Sequence, residues 1–328
     1  MLVTGANGAG KTNLLEALHV GTQGFSPRTR SEAELLRFGE QAGRVALTGA
    51  RGDSRLAVEV ALQAGDAKRA KLNGAQLRTA EQLRSEVATL VFTPDRLAVV
   101  KGGPAVRRAY FDRTLARLSP ARATLAAEYG AAVAQRNAAL RRIAGGFSTR
   151  EALEPWTASV VELGSALVES RLELLAALTP GFATTAAELG LPEARLAYEG
   201  EEPTRPLLEA AIERDLERGT TGVGPHLHDV RIVSDSRDLR AFGSQGEQRV
   251  TVLALLLTEA ALIESRRGSA PLLLLDDVLS ELDPRRRRVL ADHVRVGGQT
   301  FVSSTTAAAL PVEPAQLLEV TPGEVRAA

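Results

Sequence analysis

Eight consecutive residues, Gly5-Ala6-Asn7-Gly8-Ala9-Gly10-Lys11-Thr12, have the types and spacing of a loop that grips a triphosphate. Its glycines let backbone N–H groups approach phosphate oxygens closely. The Lys11 ammonium would reach the β and γ phosphates of ATP. The Thr12 hydroxyl would sit on Mg2+, a hard cation that takes oxygen ligands and shares them with phosphates. The loop follows the apolar pair Leu2-Val3 and precedes the amphipathic stretch Asn13 to Val20. A strand therefore feeds the turn and a helix leaves it, with its positive end aimed at the same point.

A second constellation lies far downstream. Leu272 to Leu275 reads as a strand buried on both faces, and Asp276-Asp277 ends it. Asp276 is placed to hold the magnesium shell, and Asp277 stands where many such ATPases put a glutamate that polarises the attacking water. Aspartate is one methylene shorter, which predicts slow turnover. Lys11, Asp276 and Asp277 are thus the catalytic candidates, with Thr12 and Asp276 as metal ligands. Two more segments accompany them. Ser244-Gln245-Gly246-Glu247-Gln248-Arg249 precedes a helix, and Ser280-Glu281-Leu282-Asp283 follows the aspartate pair. Ser244 and Gly246 can present a hydroxyl and N–H groups to an anion. In ATPases of the ABC type, the corresponding segment closes over the γ-phosphate bound to the opposite subunit, which makes nucleotide part of a two-fold interface. The turn containing Asp283 would cross that interface.

These residues need elements to hold them. From Arg44 to Leu62, Val45, Leu47, Val58, Val60 and Leu62 alternate with polar residues as in strands, Asn73-Gly74 marks a hairpin, and Thr89 to Phe92 reads as a further strand. From Pro104 the pattern is helical. Trp156, Val160, Leu163, Leu167, Leu174 and Leu178 form one stripe, and Leu125, Tyr129, Val133, Leu140 and Ile143 form another, with Gly145-Gly146 between them. Two antiparallel helices about 40 Å long fit this pattern, either as a projecting arm or as an ordinary helical subdomain. Thr179-Pro180-Gly181 is expected to break the second helix. Beyond it come a short helix, a strand at Leu196 to Tyr198, a helix from Pro206 to Arg218, a strand at Val230 to Val233, an apolar helix from Val250 to Ile263, and a last strand at Thr300 to Val302. The fold class is α/β, a P-loop ABC-type ATPase head with an inserted helical arm. The expected division is residues 1–103 and 220–328 as the two parts of the head, and 104–219 as the arm.

The 328 residues allow two domains, or one with a large insertion. Forty basic and forty acidic residues cancel, so any contact with nucleic acid must come from a local patch. The absence of cysteine excludes disulfides and thiolate chemistry and fits a reducing cytoplasm. No apolar run approaches the ~20 residues that a bilayer demands, and no membrane partner is expected.

The chain resembles the RecF family of DNA replication and repair proteins, relatives of the SMC and Rad50 ATPases. The resemblance rests on the passage from Pro94 to Asp112, which includes Lys101-Gly102-Gly103-Pro104 and Arg107-Arg108, and on Leu274 to Asp283 with Arg286 and Leu290. Asn13 to Leu18 and Gly224-Pro225-His226 add to it. The resemblance implies an ATP-dependent homodimer that binds DNA, single-stranded, duplex or gapped. It also implies weak ATPase activity, recombinational repair with RecR and RecO to help load RecA at single-strand gaps, and a part in the SOS response. The family normally begins with about two dozen further residues, so the sheet is expected to lack its N-terminal strands and to expose an unpaired edge. Leu227 and His228 stand where the family favours arginine and aspartate, and Glu247 where it favours glutamine. Ser303-Ser304-Thr305 offers hydroxyls where transporters carry a histidine that senses the γ-phosphate.

Arg107, Arg108 and the run Arg285 to Arg288 could bind phosphates regardless of base sequence, or form solvated or acid-paired helix faces. His226 and Trp156 read as structural. Two other classes share the P-loop. A transporter ATPase subunit would carry the serine-glycine segment within about a hundred residues of the P-loop, and a kinase would carry an arginine-bearing lid.

Overall fold

The computed structural model describes residues 1–29, 31–51 and 54–328. The chain divides into two compact units, Met1–Arg96 with Ile263–Ala328 and Leu97–Leu262.

Strand β1 (Leu2–Thr4) runs into the glycine loop and helix α1 (Lys11–Gln23) leaves it. Gly24 ends α1 in the left-handed region, φ 75°, and its N–H bonds the Val20 carbonyl. Strands β2 (Ala42–Arg51) and β3 (Ser54–Gln63) pair antiparallel along their whole length. Positions 52 and 53, within the stretch expected to form these strands, lie outside the described residues. The Asn73-Gly74 turn joins β4 (Arg69–Leu72) to β5 (Ala75–Gln76), with φ of 49° and 85° at its two residues. Alternation along β3 buries Val58, Val60 and Leu62 against Val20 of α1 and Leu83 of α2 (Ala80–Glu86). Strand β6 (Thr89–Phe92) is buried at every position.

The second unit opens with α3 (Ala98–Lys101), α4 (Pro104–Leu118), α5 (Leu125–Ala144) and α6 (Glu154–Glu188). Helices α5 and α6 pack antiparallel, since Arg136 meets Thr157 while the earlier Tyr129 meets the later Gly164. Tyr129, Val133, Leu140, Val160 and Leu167 of the two stripes are all buried, and Leu140 clusters with Leu153 and Trp156. Twenty residues make α5 about 30 Å long, shorter than expected. The expected break at Pro180 is absent, and α6 continues through it to Glu188. Proline removes one backbone donor, but Leu174, Leu178, Phe182 and Ala186 bury one continuous face on both sides of it, and that packing outweighs the missing bond. After β7 (Arg195–Glu199) come two short helices, α7 (Arg205–Ala210) and α8 (Ile212–Arg218), where one was expected. Strands β8 (Asp229–Ser234) and β9 (Arg237–Asp238) complete a three-stranded antiparallel sheet with β7. Helix α9 (Leu239–Phe242) leads into α10 (Gln245–Arg267).

The chain then returns to the first unit with β10 (Leu272–Leu275), α11 (Pro284–Val296), β11 (Thr300–Ser304), β12 (Leu317–Thr321) and β13 (Glu324–Ala327). The main sheet has the order β13-β12-β1-β11-β10-β6, parallel except for the β12-β13 hairpin. Strand β1 is therefore interior, and the edges of this sheet are β13 and β6. Val3, Leu15, Val91, Leu274, Phe301 and Val320 form the core beneath the loop. Strand β11 separates the glycine-loop strand from the aspartate strand, and that order shapes the site.

Candidate nucleotide site

Parallel register brings the ends of β1, β11 and β10 to one edge of the sheet. Thr4 lies opposite Ser304, and Leu275 lies opposite Val302, so Asp276 emerges beside Ser303. At this edge the glycine loop turns through φ of 80° at Gly8 and 109° at Gly10, conformations that L side chains rarely adopt. Gly5 meets a different demand, because a Cβ there would lie 2.4 Å from the Val320 carbonyl oxygen of β12. Ala9 is buried in the core cluster and anchors the loop, whereas Ala6, Asn7 and Gly8 are exposed. The Lys11 ammonium folds over this loop and donates to the carbonyls of Gly5 at 2.8 Å and Ala6 at 3.0 Å.

Thr12 Oγ1 donates to Asp276 Oδ2 at 2.9 Å across 264 residues of sequence. Ser303 Oγ donates to the other carboxylate oxygen, Asp276 Oδ1, at 2.7 Å. The Asp276 N–H donates to the Phe92 carbonyl of β6 at 2.9 Å, which fixes the strand end from the other side. Asp276 is buried, whereas Asp277 is exposed and holds a left-handed φ of 50°. Its N–H donates to Ser303 Oγ at 2.9 Å, and its carbonyl accepts from Ser280 Oγ at 3.0 Å.

Thr12 and Asp276 converge as two hard oxygen donors, and no cluster of three metal-ligating acidic, histidine or cysteine side chains exists among the described residues. That donor set fits magnesium, which takes its remaining ligands from phosphates and water.

Ser244 and Gly246 belong to the second unit, and the glycine loop, Asp276, Asp277 and Asp283 to the first. Ser244 is exposed at the start of α10 and shares a reciprocal cap with Glu247. Its N–H donates to Glu247 Oε2 at 2.7 Å, and its Oγ accepts from the Glu247 N–H at 3.2 Å. The Ser244 hydroxyl proton stays free of that cap. Asp283 caps α11, accepting from the Arg286 N–H at 2.9 Å.

The arginine candidates separate. Arg107 is only 2% exposed and grips Asp229 with two bonds, of 2.8 and 2.6 Å, so it is not available to an outside phosphate. Arg108 donates to the His228 carbonyl at 2.6 Å, Arg286 pairs with Asp283, and Arg287 donates to the Leu279 carbonyl. Arg285 and Arg288 are exposed. His226 is structural, as expected. The Thr221 carbonyl can only accept, so His226 Nε2 donates to it at 3.0 Å, and Nδ1 accepts from the Tyr129 hydroxyl at 2.7 Å. Burial lowers the His226 pKa and favours this neutral form. Sequence reasoning noted Ser303 as a hydroxyl but missed its tie to both aspartates. The signal was the strand order, which sets β11 between β1 and β10 and cannot be read from local pattern.

A family model described as the RecF/RecN/SMC N terminal domain matches residues 1–324. Proteins named DNA replication and repair protein RecF from Heliobacterium modesticaldum and from Anaeromyxobacter sp. (strain Fw109-5) are 35% and 39% identical, over 93% of this chain and 86% and 85% of their own. Solved structures of the recombination mediator protein RecF with ATPrS and with ATP, from the RecFOR pathway, give TM-scores of 0.83 and 0.84 at 27% and 26% identity. They cover 99% and 100% of this chain and 91% and 92% of theirs. An Smc head from Pyrococcus furiosus, 17% identical with a TM-score of 0.59 over all of this chain and 89% of its own, shares the fold alone. The expected architecture, an α/β ATPase head of the ABC type, is the observed one, and the chain belongs to the RecF family of DNA replication and repair proteins.

Proposed function

We propose that this chain binds magnesium-ATP at the Gly5 to Thr12 loop, closes with a second copy over the nucleotide, and holds DNA in the closed state. The observation that carries the reading is the 2.9 Å bond between Thr12 and Asp276, beside a loop whose first glycine admits no side chain. ATP in a solved relative supports it. Lys11 would exchange its two loop carbonyls for phosphate oxygens, and Thr12 and Asp276 would hold the metal. When bound, magnesium neutralises charge on the β and γ phosphates. Asp277, exposed on the same edge, would orient water, and its short side chain gives slow hydrolysis. Ser244 and Gly246 would face the triphosphate held by the second copy, with Asp283 in the same interface.

The RecF/RecN/SMC match favours this reading over a transporter subunit or a kinase. The same reading places the chain in cytoplasmic repair of gapped DNA, with RecR and RecO, in RecA loading and in the SOS response. No helix among the described residues is long and apolar enough to cross a membrane.

Sedimentation with saturating ATP and magnesium tests the central claim, with a dimer expected and a persistent monomer overturning it. Asp277→Ala should retain nucleotide and accumulate as the dimer. Ser244→Ala should bind nucleotide as a monomer yet fail to dimerise.

A further inference from the structure

Strand β11 stands between the strand that carries the glycine loop and the strand that carries the aspartates, and its last turn inward is Ser303. This side chain has no solvent exposure, and both of its hydrogen-bonding directions are fixed by what they meet. A carboxylate oxygen accepts and an amide donates. The Ser303 hydroxyl therefore gives its proton to Asp276 Oδ1 at 2.7 Å and receives the Asp277 N–H at 2.9 Å. The neighbouring hydroxyl does not substitute, since alternation along β11 turns Ser304 to the opposite face, where its Oγ accepts from the Thr306 N–H.

The two bonds have separate effects. The first pins one oxygen of Asp276 and leaves the other turned to Thr12. The second holds the amide of a residue whose φ of 50° is unfavourable for any side chain bearing a Cβ. The Asp277 carbonyl is held by Ser280, so the strained residue is tied at both ends by hydroxyls. Outer partners of this kind commonly set the orientation and affinity of a metal ligand.

We infer that Ser303 is a positioning residue for both aspartates, aligning the metal-side carboxylate and the water-side carboxylate through one hydroxyl rather than sensing the γ-phosphate. The inference rests on the roles proposed above for Asp276 and Asp277.

Hydrogen exchange at the Asp277 amide of the nucleotide-free protein, ATP binding titrated with magnesium, and steady-state turnover test it in Ser303→Ala and Ser303→Thr. In Ser303→Ala the amide should exchange about tenfold faster than in the wild type, because its acceptor is gone. The magnesium concentration needed for half-maximal ATP binding should rise about tenfold, the usual cost of losing an outer partner. Turnover should fall by about tenfold or more while KM for ATP at saturating magnesium stays within about twofold. Ser303→Thr should recover all three. Wild-type exchange and magnesium dependence in Ser303→Ala would overturn the inference, as would a folded Ser303→Thr protein that behaves like the alanine variant. Asp277→Ala, assayed alongside, separates the two claims. If it loses turnover while Ser303→Ala keeps it, the positioning role falls and the water-orienting role stands. If Asp277→Ala keeps turnover, the water-orienting role falls and takes the water-side half of the inference with it, while the metal-side half is decided by the magnesium dependence of Ser303→Ala.

Discussion

The polar groups around the glycine loop and those in the helical unit are partnered on opposite terms. Beside the loop, Lys11 rests on two carbonyls of its own turn and Asp277 faces solvent. In the helical unit, the Arg136 and Asp215 side chains are 1% and 2% exposed and meet at 2.7 Å. Arg136 also donates to Thr221 and Thr157, while Asp215 accepts the Gly222 N–H. Arg171 grips Asp112 with two 2.8 Å bonds and donates a third to the Pro225 carbonyl. The backbone between residues 219 and 229 is thus tied down by side chains of α4, α5, α6 and α8. A group that must meet a ligand keeps partners it can give up, and a group that must hold a turn is saturated and dry.

The largest effect expected from this contrast comes from Asp215→Ala. It leaves the Arg136 guanidinium buried without its carboxylate and should cost about 3–5 kcal/mol in chemical denaturation. A loss under about 1 kcal/mol would mean that the network can rearrange and is not the rigid member of the pair. Lys11→Ala comes next. Its affinity for ATP should drop about 100-fold, or about 2.7 kcal/mol, while the melting temperature of the nucleotide-free protein stays at the wild-type value. If nucleotide-free Lys11→Ala melted as early as Asp215→Ala, the distinction between the two regions would be broken.

The contrast is sharpened further through pH. Burial, and then the charges of Arg171, His226 and Arg108, push the His228 pKa down from 6.5 to about 4. An unfolded chain takes up this proton as the pH falls below about 6.5, whereas the folded chain resists until about 4. The contribution of the neutral ring is therefore full above 6.5 and lost as the pH falls through that window. His228→Gln should flatten this part of the stability profile. Equal slopes for the two proteins between pH 6.5 and pH 4 would show the ring to be ordinarily solvated. The smallest effect belongs to Arg150→Ala. Arg150 and Glu213 form a bidentate pair at the surface, with side chains 57% and 69% exposed, and thermal melting should register no change.

Much of the nucleotide edge could be read in the sequence because each part carries its own local signature. Glycine spacing marked the loop, an unbroken leucine run marked β10, and alternation marked β3. The buried ion pairs had no such mark, since Arg136 and Asp215 sit in helices with many other charges and only packing decides which ones lose water. Pro180 misled for the same reason: its local rule is sound, but the apolar face of α6 is stronger. The β12-β13 hairpin was missed although Leu317 to Val325 contains both alternation and the Pro322-Gly323 turn. Ser303 could not be placed between the two halves of the site, because the order β1-β11-β10 joins strands from opposite ends of the chain that carry no mark of their pairing.

Strand β1 has one further consequence, for the order in which the molecule can be completed. Leu2 pairs with Val302 on one side and Leu317 on the other, so β1 takes both neighbours from strands that are synthesised long after it. Closing contacts so distant along the chain is slow and waits until those strands have been made. A nascent or prematurely terminated polypeptide carries the whole Gly5 to Thr12 motif yet has nothing to frame it.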